Sequence, residues 1–418
     1  MSAQDSAPAE TIAVIGLGYV GLTTAVLAAR AGFQVLGVDT DHARLAMLAA
    51  GHSPFGETDP DLHALCTQMI STGALRVAGE LTPSDVVFVA VPTPVLPSQL
   101  PDERPLVSAL AQVAKGSPHA GLVVLESTLA PGTMRRLVAP FMSSPQQRFV
   151  HAPERIMPGK LLTNATNMPK VLGVESDTAW ERARVLFGRW NAGPLRRTTW
   201  ANAELCKTAE NAWRDLNIAF ANTLAMACES AGGDFETVRA LVNESPGRNV
   251  LKAGVGVGGS CLPKDTLLLS SALPADEFLR AGRRLNAAMP HHAAALARRC
   301  VGGDLTGKRV LVLGASYLED VPELAGSPAL AFACALRDLG AEVLHHDPHV
   351  PGYGGDVLTM AEGCHLIALA TDHSTYARVD FGALVAAVPA ETTFLDLRCS
   401  NLATVARKSG FRVMRLGG

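Results

Sequence analysis

The chain has 418 residues, of which 48% are hydrophobic and 18% charged, and its formal net charge is −3. That length exceeds what one hydrophobic core supports, so two or three soluble domains are expected. With no basic run and no apolar run of membrane-spanning length, neither nucleic acid nor a membrane is expected as a partner.

In chain order, the first ten residues, MSAQDSAPAE, lack the basic and apolar regions of a signal peptide and read as a disordered tail. The apolar run TIAVIG (11–16) predicts a buried parallel strand. GLGYVG follows, with Gly16, Gly18 and Gly21 in G-x-G-x-x-G spacing, and LTTAVLAARAG continues with helical periodicity. FQVLGVD predicts a second strand that ends at Asp39, 18 residues past Gly21. Strand, glycine turn, helix and acid in that order form a dinucleotide fingerprint. The glycines permit a tight turn and let a pyrophosphate reach the free N–H groups of a helix start. Asp39 can accept hydrogen bonds from both ribose hydroxyls and would repel a 2′-phosphate, which favours NAD over NADP.

Three further strand ends belong to the same sheet: DVVFVAVPTP (85–94), GLVVLESTLAPGT (121–133) and RFVHAPERIMPG (148–159). In open α/β sheets ligands bind beyond the carboxyl ends of the strands. Thr93, Ser127 and Thr128 are therefore candidates to line the cofactor pocket, with helix capping and turn formation as the plainer role for Ser127 and Thr128. Glu154 could activate or orient water, or could form a surface ion pair with Arg155.

Residues 201–231 contain no Pro or Gly and predict one long helix. Lys207, Asn211, Arg214 and Ile218 share a face of it. A Lys and an Asn one turn apart can present donors to one oxyanion. On spacing alone, a solvated face with Lys207 paired to Glu204 or Glu210 is the simpler reading. FETVRALVNES (235–245) continues the helical region. Then GVGVGGSCLPKD (254–265) surrounds Cys261 with four glycines on one side and Lys264 and Asp265 on the other. The glycines predict close approach of backbone to a ligand, and Lys264 would favour the thiolate, the nucleophilic form. Asp265 could hold a water or orient Lys264. In a protein with an NAD site, such a thiol can capture an aldehyde as a thiohemiacetal that loses hydride to become a thioester. A buried structural Cys is the alternative. The next helix is expected to start after Pro263, capped by Asp265 or Thr266.

GKRVLVLG (307–314), AEVLHHDP (341–348), HLIALATDH (365–373), TTFLDLR (392–398) and FRVMRL (411–416) predict a second doubly wound sheet, without a G-x-G-x-x-G turn. The fold class is thus α/β, with two doubly wound Rossmann-like domains joined by a long-helix central region. The expected boundaries are a tail (1–10), an NAD-binding domain (11–198), a central helical region (199–298) and a second doubly wound domain (299–418). Eight cysteines without metal-ligand spacing suggest reduced thiols in a cytoplasm and no metal site. Eight lysines stand against 28 arginines, so a lysine in a special stretch carries information.

Taken together, IGLGYVGL, GHSPFGE (51–57), AVPTP, ESTLAPGT, APERIMPG, AELCKTAENAWRDLNIAFAN, GVGGSCLPKD, RRLNAAMP (283–290), VLVLGASYLEDV, GSP, DP and TDH resemble, in order, the UDP-glucose/GDP-mannose dehydrogenase family over roughly residues 11–400. The resemblance implies a homodimer and two successive NAD-dependent oxidations of a nucleotide sugar's primary alcohol to a carboxylate. It implies Cys261 as nucleophile, Lys207 and Asn211 as oxyanion donors, Thr128 and Asp265 as holders of a water, and Glu154 in thioester hydrolysis. NAD contacts fall on Gly16, Gly18, Tyr19, Val20 and Gly21, on Asp39 and Arg44, on Val91, Pro92, Thr93, Ser127 and Thr128, and on Lys264. Substrate contacts fall on Glu154, Arg155, Lys207, Asn211, Arg214, Lys252, Gly258, Arg283 and Arg398.

APERIMPG and ENAWRDLNIAFAN are similar to the UDP-N-acetylhexosamine enzymes, whereas Ser260 before the thiol is similar to the GDP-mannose and UDP-glucose enzymes. Leu318 stands where the family usually has Lys, and Ala325-Gly326 where it usually has Arg-Glu. Arg gives bidentate phosphate recognition that Ala cannot, so an altered nucleotide-linked substrate or weakened binding is expected. The alternatives are GDP-mannose, a two-electron dehydrogenase of 3-hydroxy-acid type, and a non-catalytic NAD-binding relative.

Overall fold

A computed structural model describes residues 10–56, 58–142 and 147–418. The tail expected at 1–10, apart from Glu10, and Glu57 of the GHSPFGE block lie outside the described residues. The chain divides into two compact units: one runs to Glu210 and includes Leu267–Pro274, and the other comprises Asn211–Thr266 and Ala275–Gly418. The helical centre is thus shared out between the two.

The first unit holds an eight-stranded sheet. Its strands are β1 (Thr11–Ile15), β2 (Gln34–Val38), β3 (Leu75–Ala78), β4 (Val86–Val89), β5 (Leu122–Leu125), β6 (Arg148–His151), β7 (Lys170–Gly173) and β8 (Leu195–Thr198). They lie in the order β3-β2-β1-β4-β5-β6-β7-β8. All neighbours are parallel except β6 and β7. The order reverses between β1 and β4, the switch point at which such sheets bind dinucleotides. The apolar runs are continuous because both faces are covered: Ile12, Val14 and Phe88 face one core with Leu22 and Val26 of α1 (Tyr19–Arg30), and Ala13, Ile15 and Val87 face another with Leu106 and Leu110.

Helix α2 (Trp200–Ala231) spans the predicted long helix to within one residue. Helix α3 runs Leu262–Ser270 and helix α4 Glu277–Cys300. The predicted start of α3 is corrected here. Pro263 is inside its first turn, where the missing N–H has no intrahelical acceptor to lose. The Asp265 N–H donates to the Cys261 carbonyl at 2.8 Å, so Cys261 heads the helix and neither Asp265 nor Thr266 caps it.

The second unit carries β9 (Arg309–Leu313), β10 (Glu342–His346), β11 (Leu366–Leu369), β12 (Thr393–Asp396) and β13 (Arg412–Arg415), all parallel, in the order β10-β9-β11-β12-β13. That is a doubly wound order with its switch between β9 and β11. Met289 and Ala293 of α4 and Phe332 of α5 (Pro328–Asp338) pack with Val310 and Val312 on one face.

The two sheets share one device. An acid at the end of the second strand reaches back to the turn after the first. Asp39 accepts from the Leu17 N–H at 2.7 Å, and Asp347 accepts from the Ala315 and Ser316 N–H groups at 2.8 and 2.9 Å. Burial works to raise both carboxyls. For Asp39 the Asp41 and Leu17 N–H groups and Arg44 outweigh it, for Asp347 His373 and three backbone N–H groups do, and both stay below the usual carboxylate range. A depressed folded value contributes stability above the unfolded value, near 4 for Asp, that is lost as pH falls through the folded one. The urea midpoint should therefore hold near pH 6 and drop below about pH 4. Replacing both acids by Asn should flatten that drop.

Candidate active site

In the first unit the glycine turn is enforced by sterics. Gly16 has φ +90°, and a Cβ there would stand 2.6 Å from the Ala90 carbonyl oxygen. A Cβ on Gly21 would stand 1.8 Å from the Gly16 oxygen, so α1 can sit against β1 only without one. Gly18 has nothing within 4 Å of its Cβ position. It precedes a helix whose first turn has no acidic residue and no side-chain cap. Open space before a helix N-terminus fits a pyrophosphate. Tyr19 and Val20 open that first turn, half-buried. Asp39 spends Oδ2 on Leu17 and on Arg44, whose guanidinium lies 2.9 Å away, and Oδ1 on the Asp41 N–H. It therefore holds the turn itself.

Beyond β4 and β5 two loops are stitched reciprocally. The Thr93 hydroxyl donates to the Thr128 carbonyl at 2.6 Å, and the Ser127 hydroxyl donates to the Val91 carbonyl at 2.7 Å. Val91, Pro92 and Thr93 thereby share one ledge with Ser127 and Thr128. Beyond β6, Glu154 does not pair with the Arg155 side chain. Its carboxylate meets the Lys170 ammonium, which also reaches Glu126 at 3.3 Å. Arg155 instead bonds the Cys206 sulfur at 3.0 Å and Glu210 at 2.8 Å, one turn apart on α2 and flanking Lys207. Glu204 takes the Gly132 and Met134 N–H groups at 2.7 and 2.6 Å. Both acids that spacing offered to Lys207 are therefore engaged elsewhere, and the solvated ion-pair reading of Lys207 gives way.

In the second unit the thiol sits at the head of α3. Cys261 is exposed, with the Ser260 hydroxyl 3.7 Å from its sulfur. Four residues on, Asp265 is fully buried; it accepts from the Asn211 amide at 2.5 Å and from the Lys264 ammonium at 2.6 Å. Asp265 thus does orient Lys264. The glycines before the thiol are corrected: their close approach is to the chain itself. A Cβ on Gly256 would stand 2.7 Å from the Asn286 carbonyl oxygen, and on Gly258 2.6 Å from the Tyr317 Cβ. One on Gly254 would stand 2.8 Å from the Arg398 guanidinium. The Gly259 N–H donates to the Ala325 carbonyl at 2.9 Å, so the turn lacking the usual Arg-Glu still anchors this loop through its backbone.

Of the substrate candidates, Arg283 is fixed by the buried Asp215 at 2.7 Å. Arg398 lies 3.5 Å from Glu319. Lys252 and Arg214 are exposed. Asp215 was not singled out by sequence. It also accepts from Thr266 at 3.0 Å and from the Asn286 amide at 2.8 Å. Asn222 bonds Asn286 at 2.9 Å and takes the Gly254 N–H at 2.9 Å. This buried polar chain ties α2, α3 and α4 to the thiol loop. Its signal was the spacing of Asn211, Asp215 and Asn222 on α2, read past in favour of Arg214 and Ile218. Among the described residues one trio has metal-ligand types, Asp320, His349 and His373. Both His373 nitrogens are already engaged, by the Asp320 N–H at 2.9 Å and by Asp347 at 3.0 Å.

Comparison with known proteins decides the family. The models of the UDP-glucose/GDP-mannose dehydrogenase family match in order: the NAD binding domain over residues 10–191, the central domain over 201–288 and the UDP binding domain over 311–401. The chain belongs to the UDP-glucose/GDP-mannose dehydrogenase family. It is 33% identical over 383 residues to the UDP-N-acetyl-D-mannosamine dehydrogenase of Pyrococcus horikoshii, covering 88% of this chain and 91% of that one. It is 31% identical to the NDP-N-acetyl-D-galactosaminuronic acid dehydrogenase of Ralstonia nicotianae, covering 91% and 95%. Its fold matches a solved structure of the Pyrococcus UDP-D-ManNAc dehydrogenase with a TM-score of 0.90 at 30% identity, covering 97% and 99%. As a member of this family it is an NAD-dependent oxidoreductase that acts on a nucleotide sugar, and the two switch-point sheets correspond to the family's NAD and UDP domains. No described helix is long and apolar enough to cross a membrane.

Proposed function

We propose that the protein is a UDP-sugar 6-dehydrogenase, with a UDP-N-acetylhexosamine as its leading substrate class and UDP-glucose beside it. The observation that carries the reading is the exposed Cys261 thiol at the head of α3, four residues before the buried Asp265 that holds Asn211 and Lys264. NAD, when bound, supplies the hydride acceptor for both oxidations. The chain's own residues do the rest. After the primary alcohol at C6 has become an aldehyde, the Cys261 thiolate adds to the carbonyl carbon, and Lys207 and Asn211 donate to the resulting oxyanion. Loss of a second hydride leaves a thioester. Water held by Thr128 and Asp265 takes part in the proton transfers, and Glu154 serves the hydrolysis that frees the carboxylate. The relatives' names favour N-acetylated sugars.

A nucleotide other than UDP is the second reading. Leu318 and Ala325-Gly326 remove charge while the Ala325 carbonyl still anchors the thiol loop. Recognition is thereby altered without loss of the catalytic loop. We further propose a homodimer in a reducing cytoplasm. Trp213 and Phe220, seven residues apart on α2, and Phe278 are 55%, 56% and 75% exposed, large apolar surface of the kind that association covers.

The purified protein should form two NADH per sugar with one of UDP-N-acetylmannosamine, UDP-N-acetylglucosamine, UDP-glucose or GDP-mannose. Light scattering of the same sample should give twice the 43.8 kDa chain mass. One NADH per sugar would refute the four-electron reading, and turnover of GDP-mannose alone would select the second.

A further inference from the structure

We propose that Lys170 is a positioning residue for the hydrolytic half of the reaction: its buried ammonium holds the Glu154 carboxylate in place and is itself held by Glu126. The proposal rests on the reading of Glu154 as the group that serves thioester hydrolysis.

The three side chains come from three neighbouring positions of one sheet. Glu126 follows β5, Glu154 follows β6 and Lys170 opens β7. Their side chains are 0%, 9% and 5% exposed. Glu126 is the fixed end, since its second oxygen accepts from the Thr24 hydroxyl of α1 at 2.7 Å. Lys170 bridges from Glu126 to Glu154, and its ammonium also stands 4.6 Å from the centre of the Phe187 ring. Held by two carboxylates and an aromatic face, it has little freedom.

A purely structural ion pair needs one acid. Here two acids share one ammonium, which leaves an uncompensated negative charge in a site where burial is costly. Burial, only partly offset by Lys170, pushes Glu126 up to about 7. Burial opposes the Lys170 charge, but Glu154 and Glu126 outweigh it and hold the ammonium above its usual value. The ammonium therefore stays charged between the two carboxylates and fixes where Glu154 lies.

In the hydrolytic step water adds to the thioester carbonyl carbon as Glu154 takes its proton. The C–O bond forms and the C–S bond breaks. The Cys261 thiolate leaves with the electron pair, and the proton on Glu154 passes to solvent. No electrons leave the substrate, so no oxidant is needed. Without Lys170 the Glu154 carboxylate loses the contact that fixes its direction, and this step slows while hydride transfer does not.

The test compares wild type with Glu154→Gln, Lys170→Arg and the double variant Lys170→Gln/Glu126→Gln, using UDP-N-acetyl-D-mannosamine and NAD. The double variant keeps the cluster's net charge at −1 and so guards against simple failure to fold. Expected in the double variant are a first-turnover NADH rate within about threefold of wild type and a steady-state kcat lower by about tenfold or more, with KM falling alongside so that kcat/KM stays within about threefold. Intact mass should show the sugar acyl group on Cys261. Lys170→Arg should recover most of kcat, because it restores the charge. If the double variant binds NAD normally yet hydrolyses at the wild-type rate, or loses both stages equally, the proposal is overturned. If Glu154→Gln itself accumulates no adduct, the reading of Glu154 has failed first, and this proposal falls with it.

Discussion

Cys261→Ala should lower carboxylate formation from the preferred nucleotide sugar by about a thousandfold or more, leaving at most one NADH per sugar consumed. Oxidation of the alcohol to the aldehyde does not require a thiol. The second oxidation does, because an aldehyde must first become a tetrahedral adduct from which hydride can leave. The side chain is exposed at the head of α3, so its loss removes no core contact and stability should change by no more than about 0.5 kcal/mol. Cys334 is the control: it is also exposed, but lies on α5 outside every loop assigned to the chemistry. Cys334→Ala should keep full activity. Two NADH per sugar from Cys261→Ala would remove the covalent mechanism.

Much of this site was legible in the sequence because its logic is local. The glycine turn, Asp39 and the thiol loop each combine residues within one strand–turn–helix or one loop, and their spacing alone constrains what they can do. Legibility ended where partners come from distant strands. Glu154 invited pairing with its neighbour Arg155, yet the sheet order sets β7 beside β6 and delivers Lys170 instead. Lys207 invited pairing with Glu204 or Glu210, yet the Gly132 turn and Arg155 claim those acids. Lys170 itself sits in the plain stretch MPKVLG. Lysine is scarce in this chain, but scarcity says nothing about which strand lies alongside. The start of α3 was misplaced because Pro263 reads as a breaker in sequence, whereas the first turn of a helix accepts it. The glycines around the thiol were read as space for a ligand. They are space for Tyr317, Asn286 and Arg398, residues that sequence distance hides.

The same distinction, between a glycine needed by the chain and a glycine needed by a ligand, gives the second large effect. Gly18→Ala and Gly21→Ala both place one methyl group in the dinucleotide turn, three residues apart, and should fail differently. At Gly21 the new Cβ would stand 1.8 Å from the Gly16 carbonyl oxygen and 3.1 Å from the Ala90 Cβ. The first contact is with backbone, which no side-chain rotation relieves, so α1 must lift from β1 and the core of Leu22, Val26, Val14 and Phe88 must open. Gly21→Ala should therefore lose about 3 kcal/mol or more of stability along with NAD binding. At Gly18 the backbone has φ −72° and ψ −168°, which alanine adopts without strain, and nothing lies within 4 Å of the added Cβ. Stability should stay within about 0.5 kcal/mol of wild type. The methyl group instead stands before the helix N-terminus that a pyrophosphate would approach, and the dissociation constant for NAD should rise by about tenfold or more, some 1.4 kcal/mol. Urea unfolding read beside NAD titration separates the two. If Gly18→Ala bound NAD as tightly as wild type, the open space at Gly18 would not be where the pyrophosphate lies, and the anion-binding role of the α1 terminus would have to be given up.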